Sequence, residues 1–446
     1  MPFQNRFRGG IHPHGQKGRT EHEPIETPPL PPFVVIPLLQ YVGAPSHPLV
    51  RKGDTVKTGQ PVGKATSYVS VPCHASISGT VTSVELRPHP LGIEVPSVVI
   101  TSDGQDLPYQ PFSEPKDWTS LPDDTLIQRI QDAGLAGMGG AGFPSHVKLS
   151  PPPEKKITTV LLNGTECEPY LTADHRVMVE YPDNVLTGLR IIMKILKASK
   201  AFVCIEKNKP DAILILSKKT AQDPNIRVVA LPVKYPQGAE NQLIQAVVGQ
   251  EVPSAGLPMD VGCLVHNVAT ALALYEAVSM RKPLIDRIVT VTGPGIARAK
   301  NLRVRIGTPV RHCVEFCGGY TDTAIRLIHG GPMTGISQFT DEIPIVKGSS
   351  GIVVLDQRSS RFPPEEPCIR CARCVDVCPI HLLPNEITQR IIARQIDKAL
   401  RLGILDCIEC GCCGFICPAK RNLVHNLKLG KVLWAQRNDP TQSAAA

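Results

Sequence analysis

Aromatic residues and long apolar runs are scarce in this sequence. Phe, Trp and Tyr together make up 4% of its 446 residues. No run of about 18 or more apolar residues is uninterrupted, which is the length a membrane-spanning helix requires. The nearest candidate, residues 262–280, contains His266, Asn267, Thr270 and Glu276. We therefore expect no membrane-spanning helix.

Strong charge and a secretory leader are also missing. The formal net charge is +8 without a polybasic block, so nucleic acid is not an expected partner, whereas acidic proteins or lipid head groups are better candidates. The first 18 residues are polar and basic, unlike a signal peptide. We therefore expect the 15 cysteines to be free or metal-bound thiols in a reducing compartment rather than disulfides.

The chain has room for several domains, and its 43 prolines and 36 glycines predict many turns. Residues 1–32 are expected to form an extended N-terminal arm that packs on a partner or on the following barrel. Residues 33–110 alternate short β runs with glycine turns, which predicts a β-barrel of the lipoyl carrier type. The hairpin that carries a modified lysine in such carriers reads ATSYVSV here, so a docking or scaffolding role is favoured over a swinging arm.

Residues 120–285 alternate helical and β-branched segments, which predicts an α/β layer domain. Helices are expected over residues 125–133, 184–199, 241–248 and 265–280, and strands over residues 157–162, 201–205 and 226–231. A second β-rich module, residues 286–356, has short strands and tight glycine turns and resembles a β-grasp insertion of the SLBB type.

Two copies of one cysteine motif are the strongest signal in the sequence. Residues 368–379 read C-x2-C-x2-C-x3-C-P, and residues 407–418 repeat this spacing. Three thiolates on a tight loop can occupy three corners of one [4Fe–4S] cluster, whereas the fourth, beside a proline, faces the other cluster. We predict cluster 1 at Cys368, Cys371, Cys374 and Cys417, and cluster 2 at Cys407, Cys410, Cys413 and Cys378. A zinc ribbon is the alternative, but its usual spacing is two separate CxxC pairs.

The C-terminal domain is expected over residues 362–435, followed by a flexible tail at residues 436–446. Between the motifs, residues 385–402 carry apolar side chains at helical spacing, which predicts one amphipathic helix and favours an α-helical ferredoxin-like unit over a compact β-ferredoxin. Cys412 is an additional cysteine in the second motif, and we expect a packed thiol there instead of a ligand. The remaining cysteines lack ligand spacing and are predicted core residues: Cys73, Cys167, Cys204, Cys263, Cys313 and Cys317.

A glycine-rich loop is the second candidate site. Gly137, Gly139, Gly140 and Gly142 lie in the segment GMGGAGFP, and Lys148 follows it. A Rossmann loop must follow a strand, whereas this loop follows a predicted helix, so the usual dinucleotide fold is not expected. Backbone N–H groups in consecutive glycines can still bind a phosphate.

An acidic turn, NGTECEP at residues 163–169, follows the predicted strand 157–162 directly. Asn163, Glu166 and Glu168 would then lie at the carboxyl end of a strand, where α/β folds place ligands. The alternative is a solvated acidic turn without a ligand.

Together, GMGGAGFP, Lys148 and NGTECEP resemble the flavin and NADH site of the flavoprotein subunit of respiratory complex I. Residues 235–240 and 267–270 look like later flavin-contacting stretches of that family, although Ala239, Thr165 and His266 depart from its pattern. The departures leave the loop and the acidic turn in place and weaken the comparison over residues 235–270. The resemblance adds further candidate contacts of FMN or NADH: Phe143, Tyr235, Gly238, Glu240, Asn267 and Thr270.

The order of these segments resembles, over nearly the whole chain, the C subunits of the Rnf ion-translocating oxidoreductase complexes. The resemblance implies a peripheral subunit on the cytoplasmic face of a bacterial inner membrane, with FMN, two [4Fe–4S] clusters and NADH as substrate. Implied partners are the other subunits of the complex, including iron–sulfur and flavin subunits, with ferredoxin or flavodoxin reached indirectly.

The function that follows is hydride transfer between NADH and FMN and single-electron transfer through the clusters, since each cubane carries one electron. No side chain is expected to act as a general acid. One alternative is a soluble flavin and iron–sulfur reductase similar to cobalamin reductases, against which the β-barrel argues. Another is an electron-transfer scaffold without an NADH site.

Overall fold

The computed structural model describes residues 6–110, 112–114, 116–361 and 363–437. Most of the predicted tail, from residue 438 onward, lies outside these residues. None of the described helices is both long and apolar enough to cross a bilayer.

The described residues up to 110 form eight strands, four of which have only two residues. In chain order they are β1 (Ile25–Glu26), β2 (Phe33–Pro37), β3 (His47–Pro48), β4 (Thr55–Val56), β5 (Pro61–Lys64), β6 (Cys73–His74), β7 (Gly79–Pro88) and β8 (Glu94–Ser102). Two antiparallel sheets, in the orders β2-β8-β7-β4 and β3-β5-β6, form the predicted barrel. Its core contains Val34, Ile36, Val62 and Ile100, all fully buried. The alternating apolar side chains of β2 and β8 supply this core.

The next segment alternates helices with four strands. These are α1 (Asp123–Asp132), α2 (Ser145–Lys148), β9 (Thr159–Gly164), α3 (Ala173–Glu180), α4 (Pro182–Leu196), β10 (Lys200–Glu206), α5 (Pro210–Thr220), β11 (Ile226–Leu231), α6 (Glu240–Val248), β12 (Cys263–Asn267) and α7 (Val268–Met280). The strands form a parallel sheet in the order β11-β10-β9-β12. Apolar residues are buried on both of its faces, as parallel sheets require.

The predicted helix over residues 265–280 is wrong at its start. Residues 263–267 form β12, and α7 begins at Val268. The side chain of Asn267 accepts hydrogen bonds from the backbone N–H groups of Ala269 (2.9 Å) and Thr270 (3.2 Å). This N-cap fixes the point where strand becomes helix.

The β-grasp-like module contains β13 (Asp286–Thr292), β14 (Lys300–Arg305), α8 (Val310–Phe316), β15 (Ala324–His329), β16 (Ile336–Gln338) and β17 (Gly351–Asp356). Its sheet has the order β1-β14-β13-β17-β15-β16. Helix α8 buries Val310, Cys313 and Val314 against this sheet. The arm contributes one strand, because β1 pairs in parallel with β14.

The C-terminal domain is helical, as predicted. It contains α9 (Arg373–Asp376), α10 (Pro384–Ile392), α11 (Ile396–Arg401), α12 (Cys412–Ile416) and α13 (Leu423–Arg437). The single helix expected over residues 385–402 is wrong, because the chain breaks at Arg394, which has φ of 58°. The break lets Ile391 and Ile396 enter the same core. Helix α13 also continues through residues 436 and 437, which were assigned to the flexible tail.

Residues 10–15 of the N-terminal arm pack on the α/β and C-terminal domains, a location that the sequence did not predict. The N–H of Gly10 donates to Val377 O (2.8 Å), and the N–H of Ile11 donates to Tyr235 O (2.8 Å). Further along, Gly15 O accepts from the N–H of Tyr170 (2.7 Å). The arm therefore joins segments that are distant in the sequence.

Candidate functional site

The eight predicted cluster ligands form two groups in space. One cavity is lined by the four cysteines predicted for cluster 1, namely Cys368, Cys371, Cys374 and Cys417. A second cavity is lined by the four predicted for cluster 2, namely Cys378, Cys407, Cys410 and Cys413. The structure thus brings the last cysteine of each motif to the cavity of the other motif. Four convergent thiols per cavity fit the ligand set of a [4Fe–4S] cluster.

Left-handed backbone conformations shape both cysteine loops. Arg370 (φ 55°) and Ala372 (φ 60°) lie in the first loop, and Glu409 (φ 57°) and Gly411 (φ 84°) lie in the second. Such conformations are uncommon for residues other than glycine and turn the chain tightly. They curl each loop so that its first three motif cysteines, which are three positions apart, line one cavity.

Cys412 also borders the second cavity, but it is fully buried in a separate apolar contact. It packs with Ile11 and Tyr235, and its thiol lies 3.9 Å from Tyr235 O. Of the other six cysteines, five are buried, and Cys167 is half-buried. Burial raises the pKa of Cys167 to about 12.

The glycine loop is open to solvent at its tip. Gly139 and Gly140 are exposed, and a side chain on Gly140 would meet only open space. A Cβ on Gly139 would lie 2.9 Å from Cβ of Asn267, so this position requires glycine. The base of the loop is fixed by hydrogen bonds from Gly137 N to Phe143 O and from Met138 N to Thr270 Oγ1, each 2.9 Å. Exposed backbone on a fixed base fits a phosphate-binding loop.

The loop meets the carboxyl edge of the parallel sheet. Asn163 at the end of β9 is in register with Asn267 at the end of β12. The Asn163 Nδ2 donates to Gly238 O (2.9 Å), and its Oδ1 accepts from Thr165 N (3.1 Å). The glycine loop, the acidic turn and the segment around Gly238 therefore converge at one sheet edge.

Lys148 and Glu240 form an ion pair beside this edge. Lys148 Nζ lies 2.8 Å from Glu240 Oε2, and the two side chains are 25% and 38% exposed. The adjacent His266 is buried, and this burial, together with the charge of Lys148, lowers its pKa to about 3. His266 is therefore neutral, and within the described part of the chain its Nε2 has no hydrogen-bond partner.

The two glutamates of the acidic turn face different neighbours. Glu166 accepts from the N–H groups of Asp174 (2.7 Å) and His175 (3.3 Å) at the start of α3. Glu168 accepts from the N–H groups of Met333 (3.1 Å) and Thr334 (2.9 Å) in the β15–β16 turn. Burial raises the pKa of Glu168. Glu168 thus joins the α/β domain to the β-grasp-like module.

Tyr235 joins the α/β domain to the second cysteine loop. Its hydroxyl donates to Cys410 O at 2.7 Å, and its side chain is buried. Only two residues separate it from Gly238 at the sheet edge. The structure thus connects the glycine-loop edge to the predicted cluster 2 through a short stretch of chain.

The sequence did not single out three charged residues near the acidic turn. Asp174 Oδ2 accepts from Asn267 Nδ2 at 2.6 Å. Burial, and then the charge of Glu166, raises the pKa of Asp174 to about 7. Lys17 and Lys209 are buried and donate to backbone carbonyls of the turn. Asp174 follows the turn closely, but no spacing pattern distinguishes the two lysines.

This combination of fold and site defines a flavin and iron–sulfur electron-transfer protein. Four family models match the chain: the RnfC barrel sandwich hybrid domain at residues 5–105, the Nuo51 FMN-binding domain at 130–276, the SLBB domain at 288–337 and the 4Fe-4S dicluster domain at 367–422. They confirm the predicted fold class and the predicted FMN and iron–sulfur cofactors.

Curated relatives match nearly the whole chain. The C subunit of the proton-translocating ferredoxin:NAD(+) oxidoreductase complex of Clostridium ljungdahlii is 46% identical, over 95% of this chain and 92% of the relative. The Na(+)-translocating counterpart of Acetobacterium woodii is 45% identical, over 95% and 96% of the two chains. The NAD+-reducing [NiFe]-hydrogenase in its H2-reduced state shares 18% identity, with a TM-score of 0.48 over 72% of this chain and 68% of that chain. The chain belongs to the RnfC family, the C subunits of Rnf ion-translocating oxidoreductase complexes.

Proposed function

We propose that this chain exchanges electrons between NADH and the other subunits of a membrane-bound, ion-translocating ferredoxin:NAD+ oxidoreductase complex. It would lie peripherally, on the cytoplasmic face of the membrane. The names of the curated relatives support the reaction and the multi-subunit assembly. Within this chain, the proposal rests on the contact of Tyr235 with Cys410. This contact joins the sheet edge at the glycine loop to the four cysteines predicted for cluster 2.

In this proposal FMN, when bound, converts two-electron exchange with NADH into single-electron exchange with the clusters. The exposed backbone of Gly139 and Gly140 binds the flavin phosphate, aided by Lys148. Because Lys148 is already paired with Glu240, an incoming phosphate replaces or shares that partner. The pair is partly exposed, so this exchange requires little rearrangement. Phe143 lies at the carboxyl end of the loop, where its carbonyl accepts from Gly137 N (2.9 Å).

Several residues predicted to contact FMN or NADH would instead hold the binding site in shape through hydrogen bonds within the protein. Asn163 fixes the Gly238 segment, Asn267 caps α7, and Thr270 Oγ1 accepts from the base of the glycine loop. Glu166 caps α3, and Glu168 fixes the neighbouring module. Pre-formed hydrogen bonds of this kind keep a binding site rigid before the ligand arrives.

The packing supports an order of electron transfer. Tyr235 and Cys412 hold the second cysteine quartet, Cys378, Cys407, Cys410 and Cys413, against the α/β domain, so cluster 2 would be the cluster nearest to the flavin. The first quartet, Cys368, Cys371, Cys374 and Cys417, lies farther out. Cys371 is exposed, and the nearby Ile369 is 69% exposed. With both clusters and FMN bound, electrons would pass between flavin, cluster 2 and cluster 1, and cluster 1 would meet the partner protein.

Anaerobic purification with flavin and iron assays, followed by NADH titration of the visible spectrum, tests this proposal. We expect one FMN and about eight irons per chain, and NADH should bleach the flavin absorbance. Protein with iron but without flavin or NADH-dependent ferricyanide reduction would instead be a scaffold.

A matched pair of glycine variants locates the flavin. Gly139→Ala places a Cβ against Asn267, whereas Gly348→Ala has open space around it. We expect the first variant to lose flavin and keep its iron, and the second to keep both. Equal flavin content in the two variants would argue against the glycine loop.

A further inference from the structure

We propose that Lys17 of the N-terminal arm is a positioning residue for the flavin site, which it serves by fixing the backbone of the acidic turn. The inference rests on the proposed function, because it assigns that turn to the flavin and NADH site. It also gives a role to the arm segment GGIHPHGQK, which the cofactor assignment leaves unexplained.

The ammonium group of Lys17 is fully engaged by backbone carbonyls. Its Nζ donates to Glu166 O and Glu168 O, each at 2.9 Å, and to Leu171 O at 2.5 Å. A lysine has three N–H donors, so none is left over. Lys17 itself is 8% exposed, so water contributes little to its solvation.

Because the Lys17 ammonium group is buried, the geometry of the acidic turn depends on this charge. Desolvation lowers the pKa of Lys17, and the negative charge of Glu166 opposes that shift. An ammonium group removed from water is costly unless its donors are all satisfied. The three carbonyls must therefore converge on one point, which fixes the path of the chain between Glu166 and Leu171.

The turn needs such a constraint because its backbone is strained. Glu166 (φ 46°) and Tyr170 (φ 72°) both have left-handed conformations. Residues other than glycine persist there only where the surroundings hold them. The arm supplies a second contact at this point, from Tyr170 N to Gly15 O (2.7 Å). On the other side, Lys209 Nζ donates to Thr165 O (2.6 Å).

Arg19 provides a matched control in the same arm. Its guanidinium donates to Ile296 O (2.9 Å) and to Gly293 O in the β-grasp-like module, and these bonds do not involve the acidic turn. Removal of either cation costs the arm several hydrogen bonds. Only Lys17 contacts the proposed cofactor site.

The experiment compares wild type, Lys17→Met and Arg19→Met as full-length, anaerobically purified proteins. For each we would measure iron content, thermal stability, FMN affinity after flavin removal, and kcat and KM for NADH-dependent ferricyanide reduction. We expect Lys17→Met to keep about eight irons but to bind FMN about 10- to 100-fold more weakly, a loss of the size caused by removing outer-shell partners at metal sites. Its KM for NADH should rise when flavin is saturating. Arg19→Met should keep wild-type FMN affinity and KM.

Two results would overturn the inference: wild-type FMN affinity and KM in Lys17→Met, or an equal loss in Arg19→Met. If Lys17→Met does not fold, Lys17→Gln keeps two N–H donors without the charge, and wild-type affinity in that variant would be equally decisive. Failure of the wild-type protein to bind FMN would refute the proposed function instead, so the two failures are distinguishable.

Discussion

Cys378 gives the sharpest prediction, because it lies in the first motif but lines the second cavity. Cys374, four residues earlier in the same motif, lines the first cavity with Cys368 and Cys371. Both side chains are buried to a similar degree, with 8% exposure for Cys378 and 9% for Cys374. Replacement of either by alanine therefore perturbs packing equally, but each should remove a different cluster.

Double variants turn this difference into a count of iron atoms. Cys378→Ala alone should leave about four irons of about eight, because one of two cubanes is lost. Combined with Cys407→Ala, it should still leave about four, since both residues serve cluster 2. Combined with Cys374→Ala, it should leave almost none. Pairing within each motif predicts the reverse: almost no iron in the first combination and about four irons in the second.

Iron and sulfide assays and low-temperature electron paramagnetic resonance of the dithionite-reduced proteins measure these outcomes. The packing of Tyr235 on Cys410 adds a kinetic expectation. In Cys374→Ala, NADH should still reduce the remaining cluster 2 quickly. In Cys378→Ala, it should reduce the remaining cluster 1 slowly, because the intermediate carrier is gone. Almost iron-free protein from Cys378→Ala/Cys407→Ala would refute the crossed assignment.

Two other side chains support predictions of stability. Glu168→Gln should destabilise the β15–β16 turn by about 1–3 kcal/mol. The two oxygens of the carboxylate accept from Met333 N and Thr334 N, whereas an amide has only one oxygen. Faster protease cleavage at residues 330–335 would show the effect, and unchanged cleavage would contradict it. Asp174 has a pKa raised from 3.8 to about 7, so the native state binds a proton that the unfolded state releases, and its contribution to stability falls as pH rises from about 4 to 7. Asp174→Asn should remove that part of the pH dependence in denaturant titrations, and an unchanged pH profile would argue against the shift.

The cysteine motifs and the α/β domain show which features can be predicted from local sequence. Spacing of two or three residues limits which thiols can share one loop, so the motif spacing predicts two ligand sets, and the cysteines of each predicted set line one cavity. The α/β domain was also predicted from alternating helical and β-branched segments, and the predicted strand over residues 226–231 coincides with β11. The ends of helices were harder to predict. The break at Arg394 interrupts a helical apolar pattern, and it depends on packing against α13.

The roles of single polar residues were less predictable. Tyr235 and Glu168 were expected to contact flavin or NADH. In the structure the Tyr235 hydroxyl bonds to Cys410 O, and Glu168 bonds to Met333 and Thr334. Both partners come from other domains, more than 160 residues away in the sequence. A local motif contains no information about such a partner.

The sequence by itself predicted the iron–sulfur chemistry, because thiolate spacing is a local property of the chain, and the flavin followed from the resemblance of the glycine loop and acidic turn to a known family. Tertiary structure alone decided how the parts are connected: the cysteines at residues 378, 407, 410 and 413 line a cavity beside Tyr235, those at residues 368, 371, 374 and 417 line a second cavity, and Lys17 reaches a turn 149 residues away. The physical reason is that a buried ammonium or carboxylate is stable only where several polar partners converge. That convergence exists only after the arm and the four folded domains have packed together.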